Sequence, residues 1–145
     1  MCRNKGCIIF DTASLSINLI FIQMIAHTGI PVGNYRKAKK FYSKVLATLG
    51  YKQNMEFGEA AGFNDGKNTD FWIGKNDKGV IPLHVAFEAK SKAQVKKFYE
   101  TALAAGAKDN GAPGYRKEYW PGYYAAFVYD ADGHNIEAVF YDYEK

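Results

Sequence analysis

Cysteine is nearly absent from this chain. Cys2 and Cys7 are the only two, both close to the N-terminus. Two cysteines make no disulfide framework, and no CxxC or paired histidine accompanies them. A reducing cytoplasm is therefore the expected compartment. A long apolar run is missing too. The stretch LSINLIFIQ (residues 15–23) is apolar, but a transmembrane helix needs about 20 such residues without interruption. Asp11 breaks the region and no small-residue cleavage site follows, so a secretion signal fits it poorly. Two readings of residues 1–23 stay open. They are an extension upstream of a native start at Met24, which we favour, or an extra element docked on the domain. Nor does one sign of charge dominate. The 19 Lys and Arg stand against 15 Asp and Glu, and the basic residues are scattered rather than clustered. Neither a nucleic-acid partner nor a membrane partner is expected.

What is present is ample material for a core. Of the 145 residues, 48% are hydrophobic and 16% aromatic, with 11 Tyr and 10 Phe. This fits one compact domain spanning residues 24–145. Tyrosine in such number can line a wet pocket as readily as a core.

The segment KKFY occurs twice, at Lys39–Tyr42 and Lys96–Tyr99, a shift of 57 residues. At that shift seven of the 25 pairs from position 25 to 49 are identical, where random pairing at ordinary usage gives roughly one or two. Asn34 falls on Ser91, and both are good helix N-caps. Ala38, Phe41, Tyr42, Val45, Leu46 and Leu49 carry the 3, 4, 3, 4 spacing of one helical face. His27 falls on His84, each in a short apolar run. After each helix come β-rich runs around Gly-containing turns: EAAGF and TDFWIG, then GYYAAFVYD and HNIEAVFY. A further strand is expected near Lys52–Phe57. Its counterpart, GAPGYRKEYWPG, reads as a long loop or irregular edge. The fold class is therefore α+β: two tandem βαβββ units, residues 24–76 and 80–143, whose mixed sheets curl into a cup or open barrel with the helices outside.

Strand side chains alternate between faces. Glu137 shares a face with Asn135 and Val139, while Ile136, Ala138 and Phe140 suit packing under a helix. Glu137 is thereby assigned to the open face. With the preceding turn centred on Ala131–Asp132, Ala126 lies opposite Glu137 and Tyr124 opposite Val139, at the rim. Small residues beside His27 and His84 leave space before each ring. Two histidines at equivalent repeat positions and one glutamate on the open face make a 2-His-1-carboxylate set, which holds a divalent metal and leaves coordination positions open. His134, at the turn, reads as a surface or turn residue rather than a ligand.

Paired βαβββ units, a strand His opening each, and the run DADGHNIEAVF near the C-terminus resemble the vicinal oxygen chelate superfamily. Glyoxalase I, thiol-transferring antibiotic-resistance enzymes, extradiol dioxygenases and bleomycin-resistance proteins belong to it. The resemblance covers Met24 to about Tyr143 and is nearest the small glyoxalase-like branch. It implies metal ligands His27, His84 and Glu137 around a divalent ion (zinc, nickel, manganese or iron) that binds substrates with neighbouring oxygens. Glu137 and Tyr124 become the catalytic candidates, and Trp72, Tyr115, Arg116, Tyr119, Trp120 and Tyr123 the substrate-binding ones. It also implies a homodimer in which His27 of one chain meets His84 and Glu137 of the other.

This chain departs from glyoxalase I where that enzyme has a second carboxylate. Trp72 is the best match there, and Asp70 is the only acidic substitute. The thiol-transferring enzymes need a polar residue near the first His and basic groups. Here Gly29 stands two after His27, and Arg116 and Lys117 are the only basic candidates. Two functions therefore compete. One is a metalloenzyme of lyase, isomerase, thiol-transferase or dioxygenase type. The other is a metal-free small-molecule binding or drug-sequestering protein of the bleomycin-resistance type.

Overall fold

A computed structural model describes residues 25–144. Cys2, Cys7, Met24 and the 1–23 extension lie outside the described residues. The first unit runs β1 (Thr28–Val32), α1 (Tyr35–Leu46), a single 3-10 turn (Ala47–Leu49), β2 (Lys52–Phe57), β3 (Ala60–Asn64) and β4 (Thr69–Lys75). The second runs β5 (His84–Glu88), α2 (Lys92–Ala104), β6 (Lys108–Tyr115), β7 (Tyr123–Tyr129) and β8 (Asn135–Tyr141). Each unit forms one open four-stranded sheet, in orders β1-β4-β3-β2 and β5-β8-β7-β6. The first strand of each is parallel to the last, and the other pairings are antiparallel. Neither sheet closes into a barrel. No helix among the described residues is long and apolar enough to cross a membrane.

The helices start where their caps dictate. Asn34 and Ser91 stand in extended conformation, and their side chains accept from the backbone N–H groups of Lys37 and Gln94. Each cap satisfies a donor that the first helical turn leaves free. Tyr42, Val45 and Leu46 of α1 and Val95, Phe98 and Ala102 of α2 face inward and are buried. They pack with Phe63, Phe71 and Ile73 of one sheet and Ile136, Ala138 and Val128 of the other in a single core that spans both units. The Val, Leu, Ile and Phe side chains among them each contribute roughly 1.5–3 kcal/mol by leaving water.

The repeat keeps its 57-residue register through the helices and then slips. Thr28 pairs with Phe71 and Val85 with Ile136. The first members are 57 apart and the second 65, so the second unit holds eight more residues between helix and last strand. These fall around residues 116–122, the part of GAPGYRKEYWPG that forms a loop. The rest of that segment is the end of β6, an edge strand whose pairing with β7 shifts between Asp109 and Gly111 and again between Gly111 and Gly114.

One polar cluster ties the units together. Asp130 Oδ1 accepts from the backbone N–H of Asp132 (3.0 Å) and of His134 (2.8 Å), and Oδ2 accepts from Tyr42 O–H at 2.6 Å. His134 Nδ1 accepts from Leu83 N–H at 3.0 Å, so Nε2 carries the proton that it donates to Pro31 O at 2.7 Å. Asp132 Oδ1 accepts from Gly33 N–H. His134 is therefore in the turn but fully buried, and the surface reading is corrected. Its ring fills the gap between the units and satisfies one backbone group from each.

Candidate functional site

The turn after β7 sets the site. Asp130 N–H bonds back to His134 O, and Gly133 takes φ 86°, a left-handed conformation that favours glycine. The turn is thereby centred on Asp132, and Tyr129 pairs with Asn135. Phe127, not Ala126, lies opposite Glu137, and Tyr123 lies opposite Tyr141. This half-step corrects the expected register and moves Tyr124 off the rim. Tyr124 is buried in the core shared with the helices, its ring edge-on to Tyr115. Tyr115 also leaves the open face. Its hydroxyl donates to Asp142 and accepts from Lys92 beneath the sheet.

Glu137 does occupy the open face, with Val139, Phe127 and Ala125 beside it and Tyr123 and Tyr141 at the margin. Its side chain is 2% exposed and lies 3.1 Å (Oε2) from Nε2 of His84. Its other oxygen accepts from Tyr123 O–H at 2.5 Å. Burial pushes the Glu137 carboxyl above its ordinary value, against the lowering influence of Tyr123, His84 and Arg116. Burial and then the bond to Glu137 hold the Tyr123 hydroxyl well above its usual range.

The His84 tautomer follows from its neighbours. Nδ1 lies 3.2 Å from Asn135 O, which can only accept, so Nδ1 carries the proton. Nε2 of the neutral ring then presents a lone pair to a carboxylate oxygen. Two acceptors at 3.1 Å need a cation or a further proton between them. The residues thus fit a metal. A ring held by a backbone carbonyl and a carboxylate held by a tyrosine are the outer contacts that orient metal ligands. The spacing suits two donors each about 2.0–2.2 Å from one ion.

His27 is not brought to this pair within one chain. It precedes β1 and lines a separate cavity of about 620 Å³ with Met55, Thr69 and Trp72, all first-unit residues. Trp72 stacks on Phe57 at 6.3 Å and crosses Gly62, where a Cβ would stand 2.9 Å from the indole. Trp72 pairs with Gly29 as Glu137 pairs with Ala86, so it holds the place in the first unit that Glu137 holds in the second. Asp70 sits at a register shift of β4 and accepts from Tyr51 O–H, and Tyr51 packs against the helix-side core. It offers no second carboxylate to the open face.

Among the described residues, one three-member group of His and carboxylate atoms falls within 4.8 Å: Asp130, Asp132 and His134. By spacing it could hold an ion. Both His134 nitrogens and both Asp130 oxygens are already engaged as described above, so hydrogen bonds within the turn and between units account for the cluster.

The loop of the second unit supplies the remaining candidates. Tyr119 is exposed and stands edge-on to Tyr123 at 5.4 Å, and Trp120 is exposed beside it. Arg116 lies over Phe127. Sequence reasoning placed Tyr123 among substrate contacts and missed its bond to Glu137. Only the parity of the turn distinguishes it from Tyr124.

Two open sheets built from repeated βαβββ units, with a buried glutamate beside an exposed histidine on one open face, define a class of paired-module proteins. The family model for the Glyoxalase/Bleomycin resistance protein/Dioxygenase superfamily matches residues 24–138, and the chain belongs to that superfamily. Among solved structures, a glyoxalase/bleomycin resistance protein from Albidiferax ferrireducens T118 is similar, with TM-score 0.72 and 26% identity over 81% of this chain and 99% of that one. A glyoxalase/bleomycin resistance protein/dioxygenase family enzyme from Burkholderia phytofirmans PsJN shares the fold at TM-score 0.64, with 18% identity over 81% of this chain and 98% of that one. TioX from Micromonospora sp. ML1 does so at TM-score 0.58, with 15% identity over 79% of this chain and 95% of that one. No curated protein matches the chain.

Proposed function

We propose that the protein is a divalent-metal-dependent enzyme acting on a small substrate with two neighbouring oxygens, of lyase, isomerase, thiol-transferase or dioxygenase type. His84 and Glu137 of one copy and His27 of a second copy would hold the ion. The observation that carries this reading is the 3.1 Å approach of His84 Nε2 to a carboxylate that is 2% exposed. The metal, zinc, nickel, manganese or iron, would supply a Lewis acid for adjacent oxygens. This chain's own residues do the rest. Asn135 O fixes the His84 ring. Tyr123 O–H holds one Glu137 oxygen and leaves the other facing His84. Val139 and Phe127 keep water from the carboxylate, and Tyr119 and Trp120 flank the approach.

A metal-free binding protein is the second reading. It rests on the first-unit face, where Phe57 is 69% exposed and stacked on Trp72, a platform suited to a flat or cationic ligand. Metal content of protein purified without chelators separates the two. We expect one divalent ion per chain, lost in His84→Ala and in His27→Ala. A metal-free wild type whose ligand affinity survives His84→Ala would establish the binding reading instead.

A further inference from the structure

Arg116 brings to the open face of the second sheet a positive charge that acts on Glu137 through space but that no carboxylate among the described residues contacts directly. Its guanidinium carbon lies 5.4 Å from the centroid of Phe127, and Phe127 is the direct cross-strand neighbour of Glu137. Nη2 donates to Ala112 O at 2.7 Å and Nη1 to Tyr115 O at 3.5 Å. Both acceptors are backbone carbonyls of β6, so they orient the group while leaving its charge intact. Among the described residues no carboxylate forms an ion pair with it.

The strand is shaped to admit this side chain. A Cβ at Gly114 would stand 3.0 Å from Nη1, and one at Gly111 would stand 3.2 Å from Nη2 and 3.1 Å from the Phe127 ring. Arg116 is half-buried, stacked and held at a fixed angle. A planar cation with spare donors is the group that recognises oxyanions through paired hydrogen bonds. His84 stands on the other flank of Glu137, because β5 and β7 lie on opposite sides of β8.

We propose that Arg116 is the anion subsite of this pocket, and that the substrate carries an oxyanion, carboxylate or phosphonate, about one strand spacing, ~5 Å, from its pair of neighbouring oxygens. This rests on the metal reading above for the position of those oxygens and on the Arg116 geometry alone for the charge.

The test uses two acids of equal length. Both 2-hydroxyglutarate and 2-hydroxypentanoate chelate through the same hydroxy-acid head, and only the first ends in a carboxylate. Calorimetry on metal-loaded wild type should show at least tenfold preference for 2-hydroxyglutarate. Arg116→Met, which keeps the contact with Phe127, should bring that preference close to one, and Arg116→Lys should retain part of it. A preference unchanged in Arg116→Met, or equal weakening of both acids, would overturn the subsite. If no metal loads, the metal reading fails separately and metal-free protein decides the subsite with methylphosphonate. Binding by wild type that is lost in Arg116→Met upholds it, and no binding or unchanged binding overturns it.

Discussion

Tyr123 and Tyr124 are adjacent in the chain and face opposite sides of β7, so matched substitutions separate their roles. Tyr123→Phe removes the donor to Glu137 and should weaken metal affinity about tenfold, the scale of lost outer contacts at metal sites. Tyr124→Phe, in the helix-side core, should leave metal affinity unchanged in the same competition titration. Glu137 gives a second, opposite kind of test. Its carboxyl titrates above the ordinary 4.5 because it is buried. The folded chain therefore holds the proton over a range in which the unfolded chain has lost it, and stability falls as pH rises above that value. In metal-free protein Glu137→Gln should raise the melting temperature at pH 8 by roughly 3–5 °C, on the order of 1 kcal/mol. At pH 4 the gain should vanish. Calorimetry at the two pH values checks this, and equal melting at pH 8 would refute it. Glu137 and His84 were legible in sequence because alternation and repeat position are local facts. The Tyr123 bond was not, since it depends on how many residues the turn consumes.

At the scale of elements, the turn from Asp130 to His134 serves two ends. It fixes the parity of β8 and joins the units through Pro31, Gly33, Tyr42 and Leu83. Tyr42→Phe leaves a buried Asp130 oxygen without its donor and should cost about 1–3 kcal/mol. In a double-mutant cycle with Asp130→Asn the two losses should fall well short of additive, because one hydrogen bond is counted in both. Strict additivity in urea unfolding would argue that the two groups do not act together. The helices, their caps and the four hairpin strands could be read from the chain because periodicity and capping act within a few residues. His134 could not be placed, because its partners at Pro31 and Leu83 are distant in sequence and a turn histidine is ordinarily wet. The β6 edge was legible only as one of two alternatives, a long loop or an irregular edge, and the segment turns out to hold both. Its glycines look like a loop, whereas they make room for Arg116 on a strand.

At the scale of the whole molecule, the described residues present exposed apolar surface. Phe57, Met55, Ile25, Ile81 and Leu83 are all exposed, and surfaces of that kind mark association sites. With His27 away from Glu137 within the chain, we expect a homodimer with two shared sites. Mixing His27→Ala with Glu137→Ala protein under exchange conditions should restore one metal site of two in the heterodimer. No restoration would place each site within a single chain. The register that pairs Trp72 with Gly29 and Glu137 with Ala86 carries a consequence of its own. The frame has twofold internal symmetry, but its donors do not, since one module offers a histidine and an indole and the other a histidine and a carboxylate. Replacing Trp72 by Glu would equalise the modules. On the proposed metal reading, a three-point monoanionic donor set would become a four-point dianionic one, and the preferred ion would move toward harder, octahedral cations.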